Sequence, residues 1–122
     1  MKKRFTVATL ALVMVLGVAA GAVGGIGGTY AAMPELYIKA RELFYAGRLE
    51  EARVIQNECC RIIYKMCSAH GNMYAVIKEI LRRMGGPDCG SVRAPLAGLI
   101  DSDSAVVDAS VSMIQAAIKQ YC

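Results

Sequence analysis

The glycine-rich segment at residues 21–30 constrains the fold of this chain more than any other feature. It reads Gly-Ala-Val-Gly-Gly-Ile-Gly-Gly-Thr-Tyr, with five glycines in ten residues. So many glycines disfavour a helix and predict a short buried strand that ends in a glycine-rich turn, where a ligand can approach the backbone. A lone strand leaves its backbone polar groups unpaired, and the sequence offers no second strand. We therefore expect part of a sheet to be missing.

Four helical patterns follow the glycine-rich segment, at about residues 34–46, 48–69, 73–84 and 103–120. Pro34 suits the first turn of a helix, and Gly47 is typical of a helix end. Gly85-Gly86-Pro87 ends the third pattern and begins a loop that runs to residue 100. Asp101 or Ser102 is expected to cap the last helix.

Each helical pattern has one apolar stripe, which we expect to be buried, opposite a charged face that we expect to be solvated. The predicted buried positions of the first two helices are Leu36, Ala40, Leu43, Phe44, Leu49, Ala52, Ile55, Cys59, Ile62, Ile63 and Met66. Those of the last two helices are Met73, Val76, Ile77, Ile80, Leu81, Met84, Val106, Ala109, Met113, Ala116 and Ala117. The sequence therefore predicts a mainly α-helical fold.

Residues 1–22 form a separate apolar segment with a basic start. Lys2, Lys3 and Arg4 supply three of the four net positive charges, so the remainder gives no electrostatic case for a nucleic-acid partner. Ala20-Gly21-Ala22 resembles a small-residue cleavage site, which favours a secretory signal peptide or a membrane anchor. The alternative interpretation is a buried helix that leads into a buried strand.

The cysteines indicate a reducing compartment rather than a disulfide framework. The chain has an odd, irregularly spaced set of five, Cys59, Cys60, Cys67, Cys89 and Cys122. The first three lie inside a helical pattern, where cysteine usually behaves as a small buried hydrophobe. This usage predicts a cytoplasmic protein, against the export suggested by residues 1–22.

No residue of the chain is a strong candidate for catalysis or metal binding. A Schiff-base lysine must be desolvated, but Lys39, Lys65 and Lys78 fall on polar helical faces and Lys119 near the C-terminus. Cys67 and His70 are three residues apart, yet zinc needs further ligands that the sequence does not supply. His70 as a general base lacks an evident nucleophile. We expect no catalytic residue, no metal site and no cofactor.

Several ordered motifs resemble the N-acetylneuraminate lyase and dihydrodipicolinate synthase family. Gly24-Gly-Ile-Gly-Gly-Thr-Tyr30 is similar to the family pattern G-x-I-G-[ST]-T-Y-N at the last strand of its barrel. Ala46-Gly-Arg-Leu-Glu-Glu-Ala52 is similar to the helix start that follows, and Val92-Arg-Ala-Pro-Leu96 to the family's R-x-P-L. The sialate-lyase branch fits best, although Val23, Gly28 and Ala31 replace its usual aspartate, serine and asparagine.

The resemblance implies a C-terminal fragment of a (β/α)8 barrel with a helical extension. Residues 1–22 would be the penultimate barrel helix, 23–46 the last strand and helix, and 47–122 the extension. Family members are class I aldolases, which cleave a 2-keto acid sugar to pyruvate and an aldehyde through a lysine Schiff base. The lysine and the catalytic tyrosine lie on earlier strands, so the resemblance implies a chain that is inactive alone and lacks an N-terminal half.

The resemblance carries over two site residues and one partner class. Gly27 and Gly28 match the turn that lines the sugar-binding mouth, so they are the expected substrate-binding residues, for pyruvate or a 2-keto acid sugar in the intact enzyme. A homo-oligomer is expected of the intact family. The alternative function, based on residues 1–22, is an exported or membrane-tethered helical interaction module.

Overall fold

The computed structural model describes residues 21–122, which form a helical assembly. The predicted apolar helix at 1–22 falls outside this range, apart from its last two residues. The helices are α1 (Pro34–Tyr45), α2 (Leu49–Met66), α3 (Met73–Arg83) and α4 (Ser104–Tyr121), and a 3₁₀ turn (Asp101–Asp103) precedes α4. Within the described range, no helix is both long enough and apolar enough to cross a bilayer.

The helix ends follow from local chemistry. Pro34 is the first residue of α1, and Gly47 ends that helix with a φ of +73°, a left-handed conformation that favours glycine. The Asn72 side chain accepts a hydrogen bond of 2.9 Å from the Tyr74 backbone N–H and caps α3. Gly85 ends α3 with a φ of +82°. All four helices predicted from the sequence are therefore present, with ends shifted by a few residues.

The predicted cap of the last helix is wrong. Asp101 and Ser102 lie in the 3₁₀ turn before α4 and are exposed. The buried carboxylate belongs to Asp103, whose Oδ2 accepts a hydrogen bond of 3.1 Å from the Ile100 backbone N–H. The extra turn moves the acceptor two residues along the chain and points it away from α4, towards the α2–α3 junction.

The predicted buried strand is not formed in residues 21–122. Residues 22–27 belong to no helix or strand, and the side chains of Val23 and Ile26 are 88% and 107% exposed. A strand needs a neighbour to pair its backbone groups, and the described part of the chain supplies none. The segment becomes ordered by turns only at its end, where Tyr30 N–H donates to the Gly27 carbonyl and Ala32 N–H to that of Thr29, both at 3.1 Å.

The hydrophobic core lies where α2 meets α1 and α4, and α3 packs mainly against α4. The predicted stripes of α1, α2 and α3 largely form this core. The exceptions are Leu49 and Met84, which are exposed, and Phe44, Met73 and Leu81, which are half-buried. The fully enclosed side chains include those of Met33, Leu36, Ile62, Met66, Ile80 and Ile114.

The predicted stripe of α4 is wrong by about one residue. The buried face consists of Val107, Ser110, Ile114 and Ala117, whereas Met113 is half-buried and Ala116 exposed. Apolar residues occur on two adjacent faces of this helix, so its periodicity fits two rotations about the axis. Packing against α2 and α3 selects one of them. Ser110 is accommodated because its hydroxyl donates to the Val106 carbonyl at 2.8 Å.

Candidate functional site

The glycine-rich turn places Gly27 and Gly28 at the surface, directly before the buried Thr29. Gly27 is half-buried and Gly28 is exposed. Both have backbone conformations outside the left-handed region, so glycine is not required there by φ. The reason for glycine is the close approach of two aromatic rings.

Tyrosine rings cover the glycine backbone at 27 and 28. A Cβ atom added at Gly27 would lie 2.3 Å from Tyr30 Cε1, and one added at Gly28 would lie 2.8 Å from Tyr74 Cε1. Tyr30 in turn packs against Tyr37 of α1, with ring centroids 4.5 Å apart and the planes inclined by 45°. The predicted site residues are thus part of an ordered aromatic turn.

A buried hydrogen bond fixes this turn to α1. Thr29 Oγ1 and the Tyr37 hydroxyl are 2.6 Å apart, and both side chains are buried. Burial raises the pKa of Tyr37 well above its usual range, so the phenol stays protonated at neutral pH. The hydrogen bond satisfies both buried hydroxyl groups, and it holds the turn in one position on the helical core.

We expect Gly27→Ala to destabilise the chain and Gly24→Ala to be nearly neutral. The Cβ at residue 27 must push Tyr30 off the Tyr37 ring, which costs about 1–2 kcal/mol as overpacking. No atom lies within 4 Å of a Cβ at residue 24, so it is a matched control. Urea unfolding of the two variants measures the difference. Equal free energies of unfolding would contradict the packed position of Tyr30.

A buried carboxylate that no sequence motif indicates joins the loop at 84–100 to the α2–α3 junction. Asp103 is 1% exposed and accepts hydrogen bonds from the backbone N–H groups of His70 at 2.8 Å, Gly71 at 3.0 Å and Ile100 at 3.1 Å. These bonds, that from His70 foremost, lower the pKa of Asp103 to about 2. In the sequence, residues 101–104 are of the types that cap helices, which indicates a helix start but not the distant partners of Asp103.

His70 is paired with Asp103 and not with Cys67. Its Nδ1 lies 3.3 Å from Asp103 Oδ1, while the ring is largely exposed. The Cys67 thiol lies 3.6 Å from the Met73 sulfur. Among residues 21–122, no three histidine, cysteine or acidic side chains are arranged to hold a metal ion.

The helical cysteines differ in environment, against the expectation that three of them are core residues. Cys59 is buried, Cys60 is half-buried and Cys67 is exposed at the end of α2. Burial raises the pKa of the Cys59 thiol to about 12, which keeps it protonated and unreactive. Only Cys59 therefore behaves as the small core hydrophobe predicted for all three.

One of the lysines predicted to be solvated has a structural role. Lys78 is half-buried, and its ammonium donates to the carbonyls of Cys89 at 3.1 Å and Ser91 at 2.8 Å, which holds the loop after α3. Lys39 and Lys65 are also half-buried, and Lys119 is exposed. None of these four lysines is fully buried, unlike the enclosed site that a Schiff-base amine needs.

Comparison with known proteins gives a consistent family assignment. A sequence profile of the Dihydrodipicolinate synthetase family matches residues 11–114. The chain is 56% identical over 101 residues to the N-acetylneuraminate lyase of Mediterraneibacter gnavus, a match covering 83% of this chain and 32% of that protein. It is 34% identical over 103 residues to the N-acetylneuraminate lyase of Rhizobium meliloti, covering 82% of this chain and 32% of that protein.

Solved structures agree with the sequence comparison. Wild-type Ruminococcus gnavus sialic acid aldolase superposes with a TM-score of 0.88 at 52% identity, covering 92% of this chain and 37% of that one. The catalytic lysine mutant of the same aldolase superposes with a TM-score of 0.85 at 54% identity, covering 88% and 35%. The chain thus spans about a third of the length of its relatives.

The family match also bears on the two interpretations of the N-terminal segment. It begins at residue 11, inside the apolar stretch, so the comparisons give no support to a helical interaction module with an export signal. The mainly helical structure corresponds to part of a (β/α)8-barrel aldolase, and the absence of a strand in residues 21–122 fits a fragment whose sheet neighbours lie elsewhere. The chain belongs to the Dihydrodipicolinate synthetase family, and within it resembles the N-acetylneuraminate lyases.

Proposed function

We propose that this chain forms the C-terminal part of a Schiff-base lyase that cleaves a 2-keto acid sugar to pyruvate and an aldehyde. The observation that carries this proposal is the 56% identity to an N-acetylneuraminate lyase over a third of that enzyme's length. The helical core encloses its apolar side chains, whereas residues 22–26 are exposed. We infer that the remaining part of the barrel covers them.

The lysine environments support a chain that is inactive alone. A lysine attacks a ketone only as the free amine, so a Schiff-base lysine is desolvated or placed near another cation to lower its pKa. Lys78 instead donates to the carbonyls of Cys89 and Ser91, so its side chain is engaged in holding the loop after α3. One of the solved relatives is a catalytic lysine mutant of a sialic acid aldolase, so that enzyme has a catalytic lysine. We propose that the corresponding lysine here comes from the N-terminal barrel portion.

The proposed assembly assigns a role to each region of the chain. Residues 23–46 would supply the last barrel strand and helix, and 47–122 the helical extension beside the barrel. Gly27 and Gly28 would line the mouth that binds the sugar, at the carboxyl end of the strand. The intact enzyme would be a cytoplasmic homo-oligomer that acts on pyruvate-derived sugars without a cofactor.

The test is borohydride trapping of the pyruvate Schiff base. The chain is incubated with pyruvate, reduced with borohydride and analysed by intact mass spectrometry, alone and after co-expression with the N-terminal two-thirds of the Mediterraneibacter gnavus lyase. We expect no adduct on this chain in either sample. We expect an adduct on the N-terminal portion, and cleavage of N-acetylneuraminate, only when both parts are present.

Two outcomes would contradict the proposal. A stoichiometric adduct on a lysine of the isolated chain would show that it builds its own active site. A fused polypeptide, in which the same N-terminal portion continues directly into residue 22 of this chain, removes the dependence on association. Failure of that fusion to form an adduct would show that the chain cannot complete the barrel of a lyase.

A further inference from the structure

Two sulfur atoms meet at the junction between α2 and α3. The thiol of Cys67, the residue that follows α2, lies 3.6 Å from the thioether sulfur of Met73, the first residue of α3. Cys67 is exposed, and Met73 is half-buried and packs against the hydrophobic core. Thiolate and thioether sulfur are the soft side-chain ligands for metal ions. The pair is therefore a candidate site for a soft cation that enters from solvent.

Tertiary hydrogen bonds hold the backbone that connects the two sulfur-bearing residues. The buried Asp103 carboxylate accepts from the N–H groups of His70 at 2.8 Å and Gly71 at 3.0 Å. The Asn72 N–H donates to the Ala97 carbonyl at 2.9 Å. The fold therefore sets the separation of the two ligand-bearing residues before an ion arrives, which lowers the entropy cost of binding.

The separation of the two sulfur atoms fits one metal ion between them. A bond from a metal ion to thiolate sulfur is about 2.3 Å long, so two such bonds span 3.6 Å at an angle of roughly 100°. A rotation of the exposed Cys67 side chain widens this angle without any movement of the backbone. Both sulfur atoms can therefore bind the same ion while α2 and α3 keep their positions.

The ligand set favours copper(I) over zinc(II). Zinc in proteins is held by four ligands, or by three and a water molecule, which come from cysteine, histidine and carboxylate side chains. Within residues 21–122, no three side chains of these types come together. Copper(I) accepts both thiolate and thioether sulfur, and two or three ligands complete its coordination. A thiol beside a thioether is therefore a copper(I) ligand pair.

We propose that Cys67 and Met73 form a copper(I) site at the α2–α3 junction. On binding, the Sγ–H bond of Cys67 breaks, an Sγ–copper bond forms and the proton goes to water. Met73 Sδ contributes a lone pair and releases no proton, and the copper ion stays in the +1 state throughout. Because the bound ion joins the end of α2 to the start of α3, it stabilises the folded chain. The inference does not depend on the proposed lyase function.

The test uses the full chain under anaerobic conditions with ascorbate. Copper(I) is added as its acetonitrile complex, and the chain competes for the ion with the coloured chelator bicinchoninate. Cys67→Ser and Met73→Leu each remove one of the two sulfur ligands. The matched controls, Cys89→Ser and Met84→Leu, remove sulfur atoms elsewhere. Cys89 and Met84 are both exposed, so these controls measure adventitious binding by accessible sulfur.

We expect Met73→Leu to weaken copper(I) binding about tenfold or more, because even the outer partners of metal ligands contribute about 10–100-fold to affinity. Cys67→Ser should remove the tight site, and both controls should match the unmodified chain. Copper(I) should raise the thermal midpoint of the unmodified chain and leave that of Cys67→Ser unchanged. Zinc(II) should not displace the bound copper(I).

A second measurement on the unmodified chain is independent of how the variants fold. The methionine methyl groups are labelled with carbon-13, and copper(I) should shift the Met73 resonance while that of Met84 stays in place. The site is refuted if the Met73 methyl group does not shift, or if Met73→Leu, which keeps the side-chain volume, binds copper(I) as tightly as the unmodified chain. It is also refuted if Cys89→Ser weakens binding as much as Cys67→Ser does.

Discussion

Replacing Ile26 by aspartate is expected to prevent assembly of this chain with the N-terminal part of a lyase barrel. Val23 and Ile26 are three residues apart, so in an extended strand their side chains point to opposite faces. Apolar residues on both faces are typical of a parallel strand covered on each side, as in a barrel. An unpaired carboxylate buried there costs about 3–5 kcal/mol, which weakens association by more than a hundredfold.

The same substitution should leave the isolated chain unaffected. Ile26 is 107% exposed, so its side chain contributes nothing to the helical core. Circular dichroism and thermal unfolding of the 122-residue chain check this, and co-purification with a tagged N-terminal portion checks assembly. Ile26→Val, which keeps an apolar β-branched side chain, is the control and should assemble. Normal assembly of Ile26→Asp would mean that the glycine-rich segment stays outside the barrel.

Replacing Asp103 by asparagine is expected to lower the thermal midpoint of the chain by roughly 10 °C, a large effect for a domain of this size. The carboxylate accepts bonds from three backbone N–H groups on two segments of the chain. Asparagine offers one carbonyl oxygen, and its amide group would face the remaining donors. Buried N–H groups would then lose their acceptor, and the α2–α3 junction would separate from the 3₁₀ turn.

The lowered pKa of Asp103 predicts that its ionised form stabilises the fold, and therefore that stability depends on pH. Its pKa falls from 3.8 to about 2 in the folded chain, chiefly through the His70 backbone N–H. Since the folded pKa lies below the unfolded value, the stabilisation is complete above about pH 4 and is lost as the pH falls towards 2. Glu79 titrates in the same range, because bonds from Arg82 and then Arg83 lower its pKa to about 2.

Asp101→Asn is the matched control for Asp103→Asn. Asp101 lies in the same 3₁₀ turn and is exposed, so its substitution should change the midpoint by little. Between pH 4 and pH 2, Asp103→Asn should lose less stability than the unmodified chain. The remaining loss is assigned to Glu79 and to Glu51, whose pKa the hydrogen bond from Arg48 also lowers. The measurement is the urea unfolding midpoint at several pH values between 4 and 2. If the midpoint of Asp103→Asn falls with pH as steeply as that of the unmodified chain, the role of the carboxylate is contradicted.

Only part of the turn at residues 27–32 can be predicted from the sequence. The family motif predicts Gly27 and Gly28 as substrate-binding residues, and the proposed function assigns them that role. No motif or periodicity connects Gly28 with Tyr74, which lies 46 positions later. Their contact depends on the packing of α3 and the loop at 84–100, and local periodicity contains no information about such distant pairs.

The positions of the helices and the family resemblance can both be read from the amino-acid sequence. Proline, glycine and asparagine fix helix ends through local backbone chemistry, and the stripes of α1, α2 and α3 each fit one buried face. The rotation of α4, the burial of Asp103 and the lack of regular secondary structure at residues 22–27 depend on tertiary packing. Two faces of α4 are apolar, so the sequence alone does not determine which one is buried. A buried carboxylate or a strand needs hydrogen-bonding partners that lie far away in the sequence. Burial and hydrogen bonding therefore depend on how distant segments pack, which local composition does not determine.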